Sequence, residues 1–420
     1  MILPKILFIS QFSQPYIREY LDLKKYHFRK WVYSLRKKET YIYQDYAVWV
    51  ADYLQEFEKH PEYEIHFLGP HYGMKKDIQS FLINKVHYHF FKSNRCYLYE
   101  ILNSKYHFEV RNNFQSNRKK IKGIIDSIKP DLIILCGAEN PNYGWAVVDI
   151  KNTPVYVILQ TLLNDPKRIE LKVGSPYRRS VEQEIFRHAN YYSTAGPKET
   201  QIIKSINPNA VFLPVRFPTH KPNVEIPEKK DYDFVFFSRN VTPFKGIEET
   251  LYAFAAVKRS HKSVRINIIG AVDNQYLPKL NEICNQMDIT ENVFFSGYYP
   301  LLEDAYRNVV KAKIAVLPGI TSSLNSTIRE SMLLGMPVIC FESDATSKIN
   351  EEKKCLLTAK YGEVEDLSRI MLYTLENGDK TMEIAANGKE YANQNFGIEN
   401  IVDLLLNNSR LIIENSKSFD

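Results

Sequence analysis

The sequence predicts an α/β fold of two units of similar size, each built on a mostly parallel sheet and joined by a proline-rich segment. Two observations carry this. Short apolar runs rich in Val, Ile and Phe alternate with segments whose apolar residues recur at helical spacing, which is the signature of strands linked by helical crossovers. That alternation stops over 215–233, where Pro218, Pro222 and Pro227 stand among charged and polar residues, and then resumes. A chain of 420 residues also exceeds what one hydrophobic core usually serves.

In the first half the expected strands are KILFIS (5–10), YEIHFLG (63–69), VHYHFF (86–91), DLIILCG (131–137) and VYVILQ (155–160). Between the first two, QDYAVWVADYLQEFEKH places Ala47, Val50, Ala51, Leu54 and Phe57 on one helical face. The apolar opening MILPKILFIS lacks a small-residue cleavage site and reads as a first buried strand. After the linker come FVFFS (234–238), VRINIIG (264–270), NVFFSG (292–297), AKIAVLPG (312–319) and MPVICF (336–341). The tail GIENIVDLLLNNSRLII is an amphipathic helix. The boundaries predicted are a first domain over 1–215, a linker over 216–233, a second domain over 234–396 and a C-terminal helix over 397–420.

Composition narrows the class. No run of about 18 uncharged apolar residues is present, so a membrane-spanning helix is not expected. Five widely scattered cysteines without a CxxC spacing argue against a disulfide framework or zinc site and for a reducing, cytoplasmic setting. A net charge of +6 is only mildly basic, and no recognisable nucleic-acid module accompanies it. The charge is concentrated in REYLDLKKYHFRKWVYSLRKK (18–38), with eight Lys/Arg against two acids. Leu21, Phe28, Trp31, Val32 and Leu35 could share one helical face there, suited either to an anionic membrane surface or to packing on the first domain.

Ligands of open α/β sheets bind beyond the carboxyl ends of the strands. In the second half, Arg239 follows FVFFS, and NVTPFKG sets Lys245 and Gly246 at the start of a helix. Two cations beside free helix-terminal N–H groups suit a diphosphate, although a solvated basic loop would look the same. After AKIAVLPG, the polar residues Ser322, Ser323, Asn325, Ser326 and Thr327 lead into IRESMLLG, with Glu330 about one turn in. Taken alone, Thr327 and Glu330 read best as a T-x-x-E capping box that needs no ligand.

Together, FFSRNVTPFKGIEETLYAF (236–254), INIIG, VFFSGYYP, AVLPG and RESMLLGMPVI (329–339) resemble the retaining glycosyltransferases of family four, which have the GT-B fold. The resemblance implies two Rossmann-like domains facing across a cleft, with the C-terminal helix crossing back to the first. It implies that Arg239 and Lys245 bind the diphosphate of a nucleotide-sugar donor and that Glu330, second acid of a Glu-x7-Glu motif, binds the ribose. Gly246, Tyr298, Ser322, Asn325, Ser326 and Thr327 complete the expected donor site.

The acceptor would be a glycan or a lipid-linked sugar, with surface polysaccharide synthesis as the setting. No cofactor or metal is expected beyond the nucleotide sugar itself. Asp231-Tyr232-Asp233 matches the DxD of metal-dependent transferases but precedes its strand, away from the expected ligand.

Three positions depart from the family. Ser322 stands where the first acid of the motif would be, Gln160 stands where a histidine often follows the fifth strand, and SQFSQPYIREY lacks the usual glycine-rich turn. Gln160 can exchange hydrogen bonds but cannot carry a proton at pH 7. It is assigned here with Arg239 and Lys245 to the reacting centre. A GT-B epimerase and a non-catalytic nucleotide-sugar binding protein remain the alternatives, and turnover separates all three.

Overall fold

A computed structural model describes residues 3–24, 45–93, 108–194, 196–215, 219, 221–319 and 324–417. The chain divides into two compact units, one formed by Met1–Pro218 with Ile398–Asp420 and the other by Thr219–Gly397.

The first unit holds β1 (Lys5–Ile9), β2 (Glu64–Pro70), β3 (Ile78–Ile83), β4 (Val86–Phe91), β5 (Leu132–Cys136), β6 (Val155–Ile158), β7 (Tyr191–Ser193) and β8 (Val211–Phe212). They form one sheet in the order β3-β4-β2-β1-β5-β6-β7-β8. All pairings are parallel except β3 with β4, a hairpin in which Ile83 faces Val86. Its two-residue turn is opened by Asn84 at φ 50°, a left-handed conformation that Asn tolerates. The sequence expectation had only the second strand of this hairpin. Ile78, Ser80 and Leu82 of β3 are exposed, and an edge strand wet on one face leaves a weak apolar signal. β7 and β8, three and two residues long, were also not expected.

Burial explains why these elements form. Val50, Ala51, Leu54 and Phe57 of the Val48–Phe57 helix pack with Ile6 and Phe8 of β1. Val402, Leu405, Leu406, Ile412 and Ile413 of the C-terminal helix Ile398–Lys417 enter the same core. The return of that helix to the first unit is as the fold class implied. On the other face of the sheet, Leu7, Ile9, Ile133 and Leu135 meet Ile121 and Ile125 of the Gln115–Ile128 helix.

The second unit holds β9 (Tyr232–Val241), β10 (Ile266–Val272), β11 (Val293–Gly297), β12 (Ala312–Val316), β13 (Val338–Phe341) and β14 (Leu357–Ala359). The order is β11-β10-β9-β12-β13-β14, with every pairing parallel. Here β9 begins at Tyr232, so the expected linker already gives way to strand at its end. Among the described residues no helix is long and apolar enough to cross a membrane.

The basic segment needs a correction. The helix Pro15–Arg18 ends on its first residue, and Leu23 forms an isolated antiparallel bridge with Met74. Leu21, expected on an amphipathic face, is a core residue of the first unit. Arg18 is held between Ser13 Oγ at 2.9 Å and Asp45 at 2.8 Å. Phe28, Trp31, Val32 and Leu35 lie outside the described residues.

Candidate functional site

Each sheet has one place where its strand order reverses direction. In the second unit, β9 leads to β10 and β11 on one side while β12 leads to β13 and β14 on the other. The crevice beyond the carboxyl ends of β9 and β12 is therefore where a ligand of this topology sits. Both motif-bearing loops leave the sheet there.

The first loop starts inside the strand. β9 runs ten residues to Val241, and its last part pairs only with β10, through Asn240 opposite Ala271 and Val241 opposite Val272. Arg239 is thus an exposed residue of the strand's end, not of a loop after it. A register shift at Gly270 makes this possible. Gly270 has φ 139°, and a Cβ there would lie 1.9 Å from the Ser238 carbonyl oxygen, so only glycine fits. Thr242 then leads into a single turn, Pro243–Lys245. Gly246 at φ 76° redirects the chain into the helix Ile247–Ser260.

Gly246 also joins the two loops. A Cβ on it would meet the Pro318 carbonyl oxygen at 2.1 Å. The Lys245–Gly246 turn therefore lies directly on the backbone that follows β12. On that second loop, a Cβ at Gly319 would lie 2.3 Å from Asn325 Nδ2, so the Asn325 amide leans over Gly319. Lys245, half-buried, immediately precedes the glycine that makes this contact. Ser322 and Ser323 lie outside the described residues.

The capping box does not form. The helix is Ser326–Leu333, with Asn325 as its N-cap in extended conformation. Thr327 is already the second helical residue, and Glu330 lies beyond the reach of the cap. The Glu330 carboxylate instead accepts a hydrogen bond from the Tyr306 hydroxyl. Tyr306 is buried, edge-on to Phe237 at 5.8 Å. Burial first, and then the Glu330 charge, raise its hydroxyl well above the usual tyrosine value, so it stays a donor. Asn325, Ser326 and Thr327 occupy the helix start, whose first N–H groups lack intrahelical acceptors. Tyr298 follows β11, separated from the reversal point by β10.

The Asp231-Tyr232-Asp233 triplet opens β9 at its amino end. Asp233 accepts from Arg265 N at 3.0 Å and pairs with Lys313 at 2.8 Å, which are roles within the sheet. Among the described residues no three His, Cys, Asp or Glu side chains are grouped to hold a metal.

Gln160 belongs to the first unit and follows β6, the sixth strand in chain order. The strand order of this unit reverses between β1 and β5, and Gln160 points back toward that place. A Cβ on Gly137, φ 91°, would meet Tyr143 Oη at 2.8 Å, Gln160 Oε1 at 2.9 Å and Glu139 Oε1 at 3.1 Å. Only a glycine lets these three side chains converge. Burial pushes the Glu139 carboxyl up to about 7, and the same cause pushes Glu182 up to about 7. Neither acid was among the expected site residues. The cue was available: GAENPNY follows β5 directly, as NVTPFKG follows the core of β9.

The glycine-free loop after β1 is fastened by side chains instead. Ser13 Oγ lies 3.1 Å from His71 Nε2, and His71 Nδ1 lies 2.7 Å from the Tyr72 carbonyl oxygen. Burial lowers His71 to about 4. The neutral ring can therefore accept from Ser13 and donate to Tyr72.

Residues 220–391 match the family model of the glycosyl transferases group 1. The whole chain is similar in fold to sucrose-phosphate synthase from Thermosynechococcus elongatus, with TM-score 0.68, 14% identity, and coverage of 98% of this chain and 100% of that one. It is also similar to HepE of Anabaena in complex with UDP and glucose, with TM-score 0.61, 14% identity, and coverage of 97% and 99%. An uncharacterized glycosyltransferase of Haemophilus influenzae is 19% identical over 187 residues, 43% of this chain and 51% of its own. The chain thus spans about half the length of that curated relative. By the match of its second unit, the chain carries a domain of the glycosyl transferases group 1, within the α/β fold of the GT-B glycosyltransferases.

Proposed function

We propose that this protein transfers a sugar from a nucleoside diphosphate to a glycan or lipid-linked acceptor, with retention of configuration and without a metal. The observation that carries the reading is the Gly246 turn seated on the Pro318 carbonyl. The turn that carries Lys245 thus lies on the backbone after β12, where the strand order reverses, inside the segment that matches the family model. HepE, similar in fold, binds UDP and glucose, which supports a nucleotide sugar as the ligand.

In this reading Arg239 and Lys245 neutralise the diphosphate as it leaves, replacing the charge a metal would supply. The start of the Ser326–Leu333 helix offers N–H groups to the same phosphates. Glu330, held by Tyr306, accepts from the ribose hydroxyls. The departing phosphate takes the acceptor proton, so no side-chain nucleophile is required. Ser322 contacts the donor sugar and Gln160 supports the reacting centre from the first unit. The setting is cytoplasmic surface-polysaccharide synthesis, with the basic segment 18–38 meeting an anionic membrane surface, which vesicle flotation would test.

Calorimetry with nucleoside diphosphates tests the donor site. Binding by the wild type and a loss of at least tenfold in Lys245→Ala are expected. If no nucleoside diphosphate binds and Lys245→Ala changes nothing, the reading fails.

A further inference from the structure

Glu139 and Glu182 are both buried carboxyls of the first unit, and their surroundings differ in one respect. Each oxygen of Glu182 is used. Oε1 accepts from Leu163 N at 2.9 Å, and Oε2 accepts from Asn164 N at 2.9 Å and Asn164 Nδ2 at 2.6 Å. Glu182 is a strut that fixes the loop after β6. Glu139 is also buried, at 5% exposure, but Asn140 Nδ2 reaches only its Oε1, at 3.0 Å. Its Oε2 has no hydrogen-bond partner among the described residues. Arg178, the cation that touches this residue, donates to the Glu139 backbone carbonyl at 2.8 Å and not to the carboxyl. A buried acceptor is costly to leave without a donor.

The place is that of a ligand site. Glu139 follows β5 at the strand-order reversal of this unit, and Gly137 holds the side chain together with Gln160 and Tyr143. The free oxygen needs a donor. The carboxyl, once ionised, repels a phosphate, and a cation is disfavoured by Arg168 and Arg178 nearby. A neutral polyhydroxyl compound fits, since Gln160, which converges with the Glu139 carboxyl at Gly137, both donates and accepts. We propose that Glu139, with Gln160, binds a hydroxyl group of a saccharide at the strand ends of the first unit. This rests on the transferase reading insofar as that saccharide is the acceptor.

Ionisation governs the contact. The charged groups facing Glu139 are Glu182 and Arg178 on the Pro176–His188 helix and Arg168 on the Pro166–Glu170 helix. Tyr143 and Cys136, also alongside, are both pushed up by burial and stay neutral. The carboxylate accepts a stronger hydrogen bond than the acid, so saccharide binding tightens as pH rises through about 7.

The test is saturation-transfer NMR on the full chain from pH 5.5 to 8.5, with a panel of free mono- and disaccharides. Wild type, Glu139→Gln and Gln160→Ala are compared. Glu139→Gln is expected to weaken saccharide binding at least tenfold and to abolish its pH dependence, while melting at or above the wild-type temperature. Its affinity for nucleoside diphosphate should be unchanged by calorimetry. Gln160→Ala should weaken the same binding several-fold, and it decides the matter if Glu139→Gln does not fold. The proposal is overturned if the variants bind saccharide as the wild type does, with the same pH profile, or if the wild type binds none of the panel. Loss of nucleoside diphosphate binding in the wild type would overturn the transferase reading instead, and the saccharide arm would still decide Glu139.

Discussion

Replacing Gly246 by alanine tests whether two loops are welded into one site. Two costs add at this position. An L-residue at φ 76° carries about 1–2 kcal/mol for the left-handed conformation. A methyl 2.1 Å from the Pro318 oxygen, 2.9 Å from the Pro318 carbonyl carbon and 2.9 Å from its ring must also push backbone aside. Overpacking of this kind costs about 1–3 kcal/mol, for a total of about 2–5 kcal/mol.

Two controls separate the terms. Gly297 has the same φ of 76° with nothing within 4 Å of its Cβ, so Gly297→Ala should cost only about 1–2 kcal/mol. Gly378 opens the Gly378–Phe396 helix with nothing within 4 Å, so Gly378→Ala should be neutral or stabilise by about 0.4–1 kcal/mol. Scanning calorimetry of the full chain reads all three. At about 2–4 °C per kcal/mol for a unit of this size, Gly246→Ala should melt several degrees below Gly297→Ala. It should also bind nucleoside diphosphate at least tenfold more weakly, because Lys245 moves with the turn. If the two variants melt together and the nucleotide affinity is kept, the loops are not coupled.

Other expectations follow from the same geometry. Tyr306→Phe removes the donor to a half-buried carboxylate, so stability should fall by about 1–3 kcal/mol, with a several-fold loss in nucleoside affinity by calorimetry; unchanged affinity would separate Glu330 from the ligand. Arg239→Ala should weaken nucleoside diphosphate binding by about 10–100-fold, the value of a charge-assisted hydrogen bond, and should flatten its salt dependence. Glu182 is raised from 4.5 to about 7, so the folded state keeps a proton that the unfolded chain has released. Its advantage over a Glu182→Gln variant is full below pH 4.5 and is lost as pH rises through about 7, by about 3 kcal/mol in urea titrations. His71 runs the other way, lowered from 6.5 to about 4. Its contribution is present above pH 6.5 and is lost by about 3 kcal/mol as pH falls through about 4, so His71→Gln should flatten the acid limb.

The parts that could be read from the sequence were those written in contiguous residues. Apolar runs marked ten strands, and the Gly246 and Pro318 loops were found because polar residues and glycine follow a buried strand directly. The parts that could not be read depend on where distant segments meet. Thr327 and Glu330 have capping-box spacing, but the helix begins after Asn325, whose amide leans over Gly319, so the cap falls two residues earlier. Tyr306 precedes its partner Glu330 by 24 positions and looks like any tyrosine on an amphipathic helix. Glu139 sits after a strand like many loop acids. Only its burial, and the contrast with the fully bonded Glu182, set it apart. In the run 18–38, Leu21 belongs to the core of the first unit, in line with packing on the first domain, while Phe28, Trp31, Val32 and Leu35 lie outside the described residues.

The most direct test of the account incubates the full chain with a panel of nucleotide sugars, with and without saccharide acceptors, in the presence of a metal chelator. Mass spectrometry follows the donor and NMR the anomeric configuration of the product. Release of a nucleoside diphosphate from one donor, with the sugar transferred in its original configuration, is the result expected. An epimerised donor, an inverted product, or a panel left entirely intact would contradict it.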